Sequence, residues 1–362
     1  MEIDLSGGLP ERRERFFAER PENPDMRDSA SMWIFDDRGE IAIPRVGIEA
    51  LARNWESHDF QLNVSFADGR VFRAREPGAP HPPLDPSGRP RVLGAGPVEF
   101  RCVEPYKTWT VSYDGEADAT SVGELIAGND ESRRTRLEFH VSATMAVPPW
   151  EQGTLSTEAR DQLENTGQGD LMGRGERIEQ LFLSVGVLRV DGEEHAFSGS
   201  GLRIKRQGTR QLGGFWGHAW QSAVFPSGRA FGYIAYPPRT EDEQPYNEGF
   251  IYSPGDEALT PARAVSVPWL RDLVARDEDV SLVLETLGGR QVPIKGTTYA
   301  PTHDPFRRPE YPRFPVLFQG GVRYEWDGEV SYGMLERSSM RDRISWPVQA
   351  WPPARSGGGN RP

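Results

Sequence analysis

The sequence contains a single cysteine and no hydrophobic run long enough to cross a membrane. Cys102 stands alone among 362 residues, so no internal disulfide can form. No stretch approaches the ~18 consecutive apolar residues of a transmembrane helix. The N-terminus opens with acidic residues and lacks the apolar core of a signal peptide. These absences predict a soluble cytoplasmic protein without an integral membrane segment.

The motifs of the common cofactor-dependent and metal-dependent enzymes are also missing. There is no GxxxxGKS/T phosphate loop, no GxGxxG after a strand, no HExxH pair and no GxSxG nucleophile elbow. The six histidines are scattered, with no close pair that would indicate a metal site. An enzyme encoded by this chain is therefore expected to use acid–base chemistry, with no cofactor and no metal.

The chain carries more acidic than basic residues, 54 against 42, and a formal net charge of −12. This balance argues against nucleic acid or an anionic membrane surface as the partner. Hydrophobic residues make up only 36% of the chain, but 10 of them are tryptophans. Large aromatic side chains must therefore do much of the filling of the core.

Short segments in which apolar and polar residues alternate recur along the whole chain. Residues 60–66 alternate in this way, and a turn at Asp68-Gly69 follows them. Comparable runs end at Asp191-Gly192 and at Asp327-Gly328. Turn signals every ~8–12 residues predict an all-β protein built as a sandwich or barrel.

Residues 147–175 separate two strand-rich halves and contain the only interior stretch that is typical of a helix, 157–165. We therefore predict an N-terminal module over residues 25–146 and a C-terminal module over residues 176–340. The glycine-rich residues 354–362 are predicted to form a disordered tail.

The second half also carries short motifs in a characteristic order. They are Ile178-Glu179-Gln180, Phe197-Ser198-Gly199-Ser200-Gly201-Leu202-Arg203, Gly217-His218-Ala219-Trp220, Tyr324-Glu325-Trp326-Asp327-Gly328 and Tyr332-Gly333-Met334-Leu335-Glu336. This order resembles the lipocalin-like family of carotenoid 1,2-hydratase (hydroxyneurosporene synthase) and its bacterial relatives. The resemblance extends over roughly residues 30–340.

The resemblance implies two lipocalin-like β modules packed around an apolar cavity, with a large hydrophobic, often isoprenoid, ligand. The best-known reaction of the family adds water to an isolated double bond without a cofactor. It needs an acid that protonates the alkene, and aromatic walls that tolerate the carbocation. Members typically carry Arg-Asp-His-x-Trp-Gly after the Gly-x-Gly segment. Here Ile204 and Lys205 stand at the acidic and histidine positions.

Two glutamates are candidate proton donors. Glu336 shares a strand face with Tyr332, because side chains repeat every two residues. If that face lines a cavity, burial would raise the pKa of Glu336 and keep it protonated. The alternative is a carboxylate paired with an arginine. Glu179 lies before an apolar strand, where catalysis and a buried ion pair with Arg203 or Arg210 both stay open.

His218 and several tryptophans are candidates for the wall of a site. His218 lies between Trp216 and Trp220 at strand spacing, so the three side chains could form one wall. Its imidazole could shuttle a proton or hold a ligand hydroxyl, or serve as a hydrogen-bonded structural histidine. Trp326 also falls within a strand. Most such tryptophans belong to a core, and one or two of them could line a ligand cavity.

Three arginines follow the Gly-x-Gly segment closely: Arg203, Arg206 and Arg210. Through bidentate contacts they could bind a carboxylate or an acyl-conjugated substrate. The alternative is an ion-paired surface. We include Arg203 among the candidate substrate-binding residues, with the tryptophans above and Tyr332.

Three functions are compatible with these features. The first is a cofactor-independent hydratase, dehydratase or isomerase of a terpenoid- or steroid-like molecule, with Glu336 or Glu179 as proton donor and His218 as a second acid–base group. The second is a carrier of hydrophobic metabolites, which Ile204 at the acidic position favours. The third is a structural protein whose cavity is filled by side chains. We expect the first, with a hydrophobic small molecule as partner and an oligomeric state left open.

Overall fold

The computed structural model describes residues 3–129, 132–165, 174–210, 214–239, 243, 245–304 and 315–344. Strands dominate these ranges and form two β bodies, which confirms the predicted all-β fold of lipocalin-like modules. No helix in the described ranges is long and apolar enough to span a bilayer. The predicted tail, residues 354–362, lies outside them.

The first body is a ten-stranded antiparallel sheet. Its strands are β1 (Arg27–Asp36), β2 (Ile41–Leu51), β3 (His58–Phe66), β4 (Arg70–Gly78), β5 (Val92–Ala95), β6 (Val98–Glu104), β7 (Thr108–Ser121), β8 (Arg133–Met145), β9 (Arg174–Val190) and β10 (Glu193–Thr209). They lie in the order β4-β3-β2-β1-β10-β9-β8-β7-β6-β5. Because β4 also pairs with the end of β7, eight of these strands form a ring.

The second body is a closed eight-stranded antiparallel barrel in which neighbours along the chain are neighbours in space. Its strands are β11 (Gly217–Val224), β12 (Ala230–Ala235), β13 (Asn247–Tyr252), β14 (Thr260–Ser266), β15 (Leu282–Thr286), β16 (Gln291–Asp304), β17 (Val316–Trp326) and β18 (Glu329–Ser339). Pairing of β11 with β18 closes the ring.

Helices are short. The predicted interior helix is confirmed as α2 (Thr157–Asn165), and α1 (Val122–Ala127) starts at a capping bond from the Glu124 amide to the Ser121 hydroxyl. Single 3-10 turns occupy Glu11–Glu14, Ala52–Asn54 and Arg341–Arg343.

The change from one body to the other comes later in the chain than the sequence analysis placed it. The long strands β9 and β10 pair with β8 and β1 of the first sheet, so residues 176–209 belong to the first body. The inner face of β9 carries Phe182 and Leu188 into the first hydrophobic core. Pairing with distant strands thus outweighs nearness in sequence, and the barrel begins at Gly217.

Alternating side chains give each body a core and leave a second apolar face between the bodies. On β1, Met32 and Ile34 point into the first body, whereas Trp33 packs against the barrel. On β11, Ala219 belongs to the barrel core and Trp220 to the shared interface. The strands that meet at this interface supply the side chains of the site described next.

Candidate functional site between the two β bodies

A cavity of about 110 Å³ lies where β1, β2, β9 and β10 face β11, β12 and β18. Its walls combine the indole rings of Trp33 and Trp220 with buried charged side chains from both bodies. The resemblance implied an apolar cavity, and the structure differs on this point. The outward-facing positions of β2, β9 and β10 carry arginines and a glutamate as well as apolar residues.

The placement of Ile204 and Arg45 follows from strand geometry. On β10, Ile204 and Arg206 point into the cavity, while the residues between and before them point into the first body. On β2, a shift of register between Ala42 and Arg45 marks a bulge that contains Pro44. The bulge brings Arg45 into the cavity wall, where its guanidinium lies 5.3 Å from the centroid of the Trp33 ring.

Glu336 on β18 is held by donors from both bodies. Its Oε2 accepts hydrogen bonds from Trp33 Nε1 at 3.0 Å and from Gln319 Nε2 at 2.5 Å. Its Oε1 lies 3.2 Å from Nε2 of His218. The guanidinium of Arg45 approaches Oε2 to 3.9 Å. The carboxylate is therefore surrounded by hydrogen-bond donors and positive charge.

This environment fixes the charge of Glu336. Burial is the largest single influence and would raise the pKa of this carboxyl, as the sequence analysis expected. The hydrogen bond with His218, the charge of Arg45 and the bond from Gln319 outweigh it and together lower the pKa to about 2. Glu336 is thus ionised at neutral pH, and the expectation of a protonated glutamate acid at this position is wrong.

His218 on β11 is buried and bonded at both ring nitrogens. Nδ1 lies 2.6 Å from the Ser338 hydroxyl, and Nε2 faces the carboxylate of Glu336. Glu336 and Ser338 can both accept hydrogen bonds, so a doubly protonated imidazolium would find a partner on each side. The pair of His218 and Glu336 is therefore suited to hold and release a proton at the cavity wall.

The aromatic part of the wall comes from both bodies. The rings of Trp33 and Trp220 meet edge-on at a centroid distance of 4.9 Å. The buried Nε1 of Trp220 has no hydrogen-bond partner among the described residues. The wall thus combines apolar indole rings with the charged groups of Glu336, His218 and the arginines, a combination typical of small-molecule pockets.

Four of the five predicted binding residues, Arg203 and three aromatic residues, are not among those that line the cavity. Nε1 of Trp216 donates to the carbonyl oxygen of Pro237 at 2.6 Å. Trp326 belongs to the barrel core. Tyr332 packs edge-on against Tyr299 at 5.3 Å. Their contacts are those of packing residues.

Arg203 is turned away from the cavity, into the first body. Its NH1 and NH2 donate to the two carboxylate oxygens of Glu14 at 3.0 and 2.9 Å, and NH2 also donates to Gln180 at 2.5 Å. The guanidinium lies 4.8 Å from the centroid of the Trp109 ring and is 1% exposed. The structure therefore places Arg203 in a buried ion pair, where no substrate reaches it.

Glu179 lies one layer behind the cavity wall. Its Oε1 accepts hydrogen bonds from Arg177 at 2.5 Å and from Gln152 at 2.6 Å. Burial raises the pKa of Glu179, although the charge of Arg177 opposes this. Its partner is thus the residue two positions earlier on the same face of β9, neither Arg203 nor Arg210. Arg177 itself lines the cavity.

Sequence reasoning missed the contribution of the first body. Trp33, Arg45 and Arg177 line the cavity. Trp33 was considered only within the group of tryptophans of which one or two could line a cavity, and neither arginine was a candidate site residue. The bulge-forming Pro44 beside Arg45 was an available signal for a residue turned from its regular direction. No pattern in the sequence predicts which strands face each other across the interface.

The similarity to several solved structures extends over most of the chain. A protein from Nitrosomonas europaea described as AttH has a TM-score of 0.50 and 12% identity, covering 89% of this chain and 98% of its own. CghA, crystallised with Sch210972, has a TM-score of 0.54 and 11% identity, covering 87% and 89%. Kievitone hydratase from Nectria haematococca has a TM-score of 0.46 and 12% identity, covering 90% and 93%. At such identities the likeness to the first two structures shows a common fold.

Comparisons at the level of sequence give the family. No curated protein matches the sequence significantly. A family model described as a domain of unknown function, DUF7064, matches residues 17–341. This match includes both β bodies and every residue that lines the cavity between them. The chain is therefore a member of the DUF7064 family.

Proposed function

We propose that this protein is an enzyme that carries out acid–base chemistry on a hydrophobic small molecule in the cavity between its two β bodies. The class of reaction is that of a cofactor-independent hydratase, dehydratase or isomerase. The observation that carries the proposal is the buried pair of His218 and Glu336, placed in a wall that also presents Trp33 and Trp220. The resemblance to carotenoid hydratases adds a terpenoid- or steroid-like molecule as the substrate.

The roles within the pair follow from the geometry and from the ionised state of Glu336. In the proposed reaction the imidazolium form of His218 is the proton donor, and the carboxylate of Glu336 stabilises it. A substrate atom that replaces one hydrogen bond of the ring receives the proton from that nitrogen. The neutral imidazole then recovers a proton from water or from another carbon of the substrate. Trp33, Gln319 and Arg45 keep the carboxylate in place through these steps.

A second candidate function is a binder of hydrophobic metabolites. Ile204 lines the cavity at the position where the resembling family carries its acidic residue. An apolar side chain there adds surface for a ligand and removes one acid. In this case the cavity would hold a molecule without changing it.

The two functions are separated by incubation of the protein with a hydrophobic metabolite extract in water enriched in deuterium and oxygen-18. A proton that His218 transfers to a substrate carbon carries deuterium into the product, because the imidazole exchanges its protons with solvent. Hydration adds the heavy oxygen as well, whereas dehydration sends the transferred proton into the released water and is detected as the loss of one water from the substrate mass. We expect a labelled product with the wild type and a loss of at least about 100-fold in H218Q.

The matched control is H303Q. His303 is a second buried histidine, on β16, and does not line the cavity. Thermal unfolding first establishes that both variants are folded. Undiminished labelling by folded H218Q would contradict the proposed enzyme, and an unlabelled compound retained by the wild type would establish the binder.

A further inference from the structure

We infer that the ligand of this cavity carries an anionic oxygen group, a carboxylate or a comparable oxyanion, which binds at Arg206 on β10. The inference rests on the proposed function, since it concerns the same cavity and ligand. It adds a substrate class: hydrophobic acids and acidic enols.

Arg206 is a buried cation whose guanidinium has no partner among the described residues. It is 7% exposed and lines the cavity. Its side chain donates no hydrogen bond to any of them and forms no ion pair with them, and its Nε is buried without an acceptor. A guanidinium offers five donors in a planar fork that matches a carboxylate. A charge of this kind is costly to bury unless an anion accompanies it.

The carboxylates nearby are already engaged by other arginines. Glu49 pairs with Arg27 at 3.1 Å, Glu179 with Arg177 at 2.5 Å, and Glu336 lies 3.9 Å from Arg45. Among the described residues in and directly behind the wall, the guanidinium groups of Arg27, Arg45, Arg177 and Arg206 face the carboxylates of Glu49, Glu179 and Glu336. Each of these carboxylates lies beside one of the other three arginines, so the charge of Arg206 is in excess.

The electrostatics of the individual groups agree with this balance. Burial, and then the charges of Arg177 and Arg210, lower the pKa of Arg206 well below its ordinary value, although the charge of Glu49 opposes this. Arginine nevertheless keeps its proton in proteins. A bound anion would relieve the repulsion between these cations.

An excess of positive charge also bears on the reaction. It stabilises a transition state in which negative charge develops, such as an enolate, and destabilises a carbocation in the same space. Protonation of an isolated double bond is therefore disfavoured. Addition, elimination or isomerisation next to an acidic carbonyl group fits the cavity better.

The test uses benzoate and its neutral isostere benzamide. A cavity that holds a benzene ring measures roughly 150 Å³, and this one measures about 110 Å³, so a single ring is the largest suitable probe and has to displace wall side chains slightly or remain partly outside. Binding of both probes is measured by calorimetry in a buffer free of carboxylate and phosphate. We expect the wild type to bind benzoate at least tenfold more tightly than benzamide, and R206M to lose this preference.

The control variant is R229M. Arg229 lies in the barrel, 4.7 Å from the centroid of the Trp326 ring, and does not line the cavity. We expect R229M to keep the wild-type preference. Absence of benzoate binding, equal binding of the two probes by the wild type, or a preference retained in R206M would each overturn the inference.

This outcome is separable from that of the proposed function. Full labelling by H218Q together with a benzoate preference would remove the proposed chemistry and leave the anion site in place. Loss of labelling in H218Q without any benzoate preference would support the proposed chemistry and remove the anion site.

Discussion

Two arginines on β10 share a strand, a chemistry and near-complete burial, yet they have opposite surroundings. Arg203 points into the first body and forms a bidentate pair with Glu14. Arg206 points into the cavity between the bodies and has no partner among the described residues. Successive side chains of a strand point to opposite faces, so residues three positions apart lie on opposite sides of the sheet. One arginine therefore points to each side.

The difference separates a structural charge from one that is available to a ligand. A buried ion pair with additional hydrogen bonds, such as that of Arg203 with Glu14 and Gln180, is complete without any other molecule. An unpaired buried guanidinium is incomplete. Satisfaction of the buried charge, more than burial itself, distinguishes the two positions.

The largest loss of stability is expected when the buried ion pair of Arg203 and Glu14 is broken. E14Q removes the counter-charge of Arg203 and should lower the free energy of unfolding by about 3–5 kcal/mol, because it leaves a buried cation uncompensated. Denaturation in urea measures this change. E104Q is the control, at the end of β6: Glu104 pairs with Lys107 at 2.9 Å and both side chains are about half exposed, so its loss should cost less than about 1 kcal/mol. Equal effects of E14Q and E104Q would contradict the comparison.

A smaller loss of stability is expected when Glu336, the paired carboxylate of the cavity wall, becomes protonated. Folding lowers the pKa of Glu336 from its ordinary 4.5 to about 2. Its ionised form therefore stabilises the fold fully above pH 4.5, and this contribution is lost as the pH falls from 4.5 towards 2. It amounts to something on the order of 3 kcal/mol.

Urea denaturation between pH 6 and pH 3.5 tests this expectation by comparing the wild type with E336Q. The stability of the wild type should fall more steeply with decreasing pH than that of E336Q. Parallel curves would show that Glu336 does not titrate differently in the folded and unfolded states.

The smallest expected change in the free energy of unfolding is a stabilisation. R206M replaces an unpartnered buried cation by an apolar side chain of similar length, and we expect the free energy of unfolding to rise by about 1 kcal/mol. R203M, its matched variant on the same strand, should be destabilised instead. Thermal or urea unfolding of the two proteins decides the sign. Destabilisation of both variants to the same extent would show that Arg206 is a structural residue like Arg203.

Local patterns predicted much of the fold. Strict alternation in residues 60–66 and turns at Asp191-Gly192 and Asp327-Gly328 correspond to β3 and to the β9–β10 and β17–β18 connections. The helix at residues 157–165 was also predicted, since these features depend on neighbouring residues only. The assignment of β9 and β10 to the first body depends on pairing with β1, far away in sequence, and no local pattern encodes it.

The candidate site, like the fold, was predicted only in part. His218, Trp220 and Glu336 were predicted as candidates, and the structure brings them together, because β11 and β18 carry recognisable motifs and pair directly. The charge of Glu336 could not be predicted, since it depends on donors as distant as Trp33, 303 residues earlier in the chain. Arg203 and Arg206 look alike in sequence, and the face of the sheet that each occupies decides its role.

The most direct test of the central claim is a crystal structure of the wild-type protein soaked with benzoate. The claim is that the ligand binds between the two β bodies, outside the packed core of the barrel. We expect the carboxylate within about 3 Å of the guanidinium of Arg206 and the ring beside Trp33 and Trp220. Benzoate bound inside the barrel, or bound elsewhere with the interface cavity unaltered, would contradict the account.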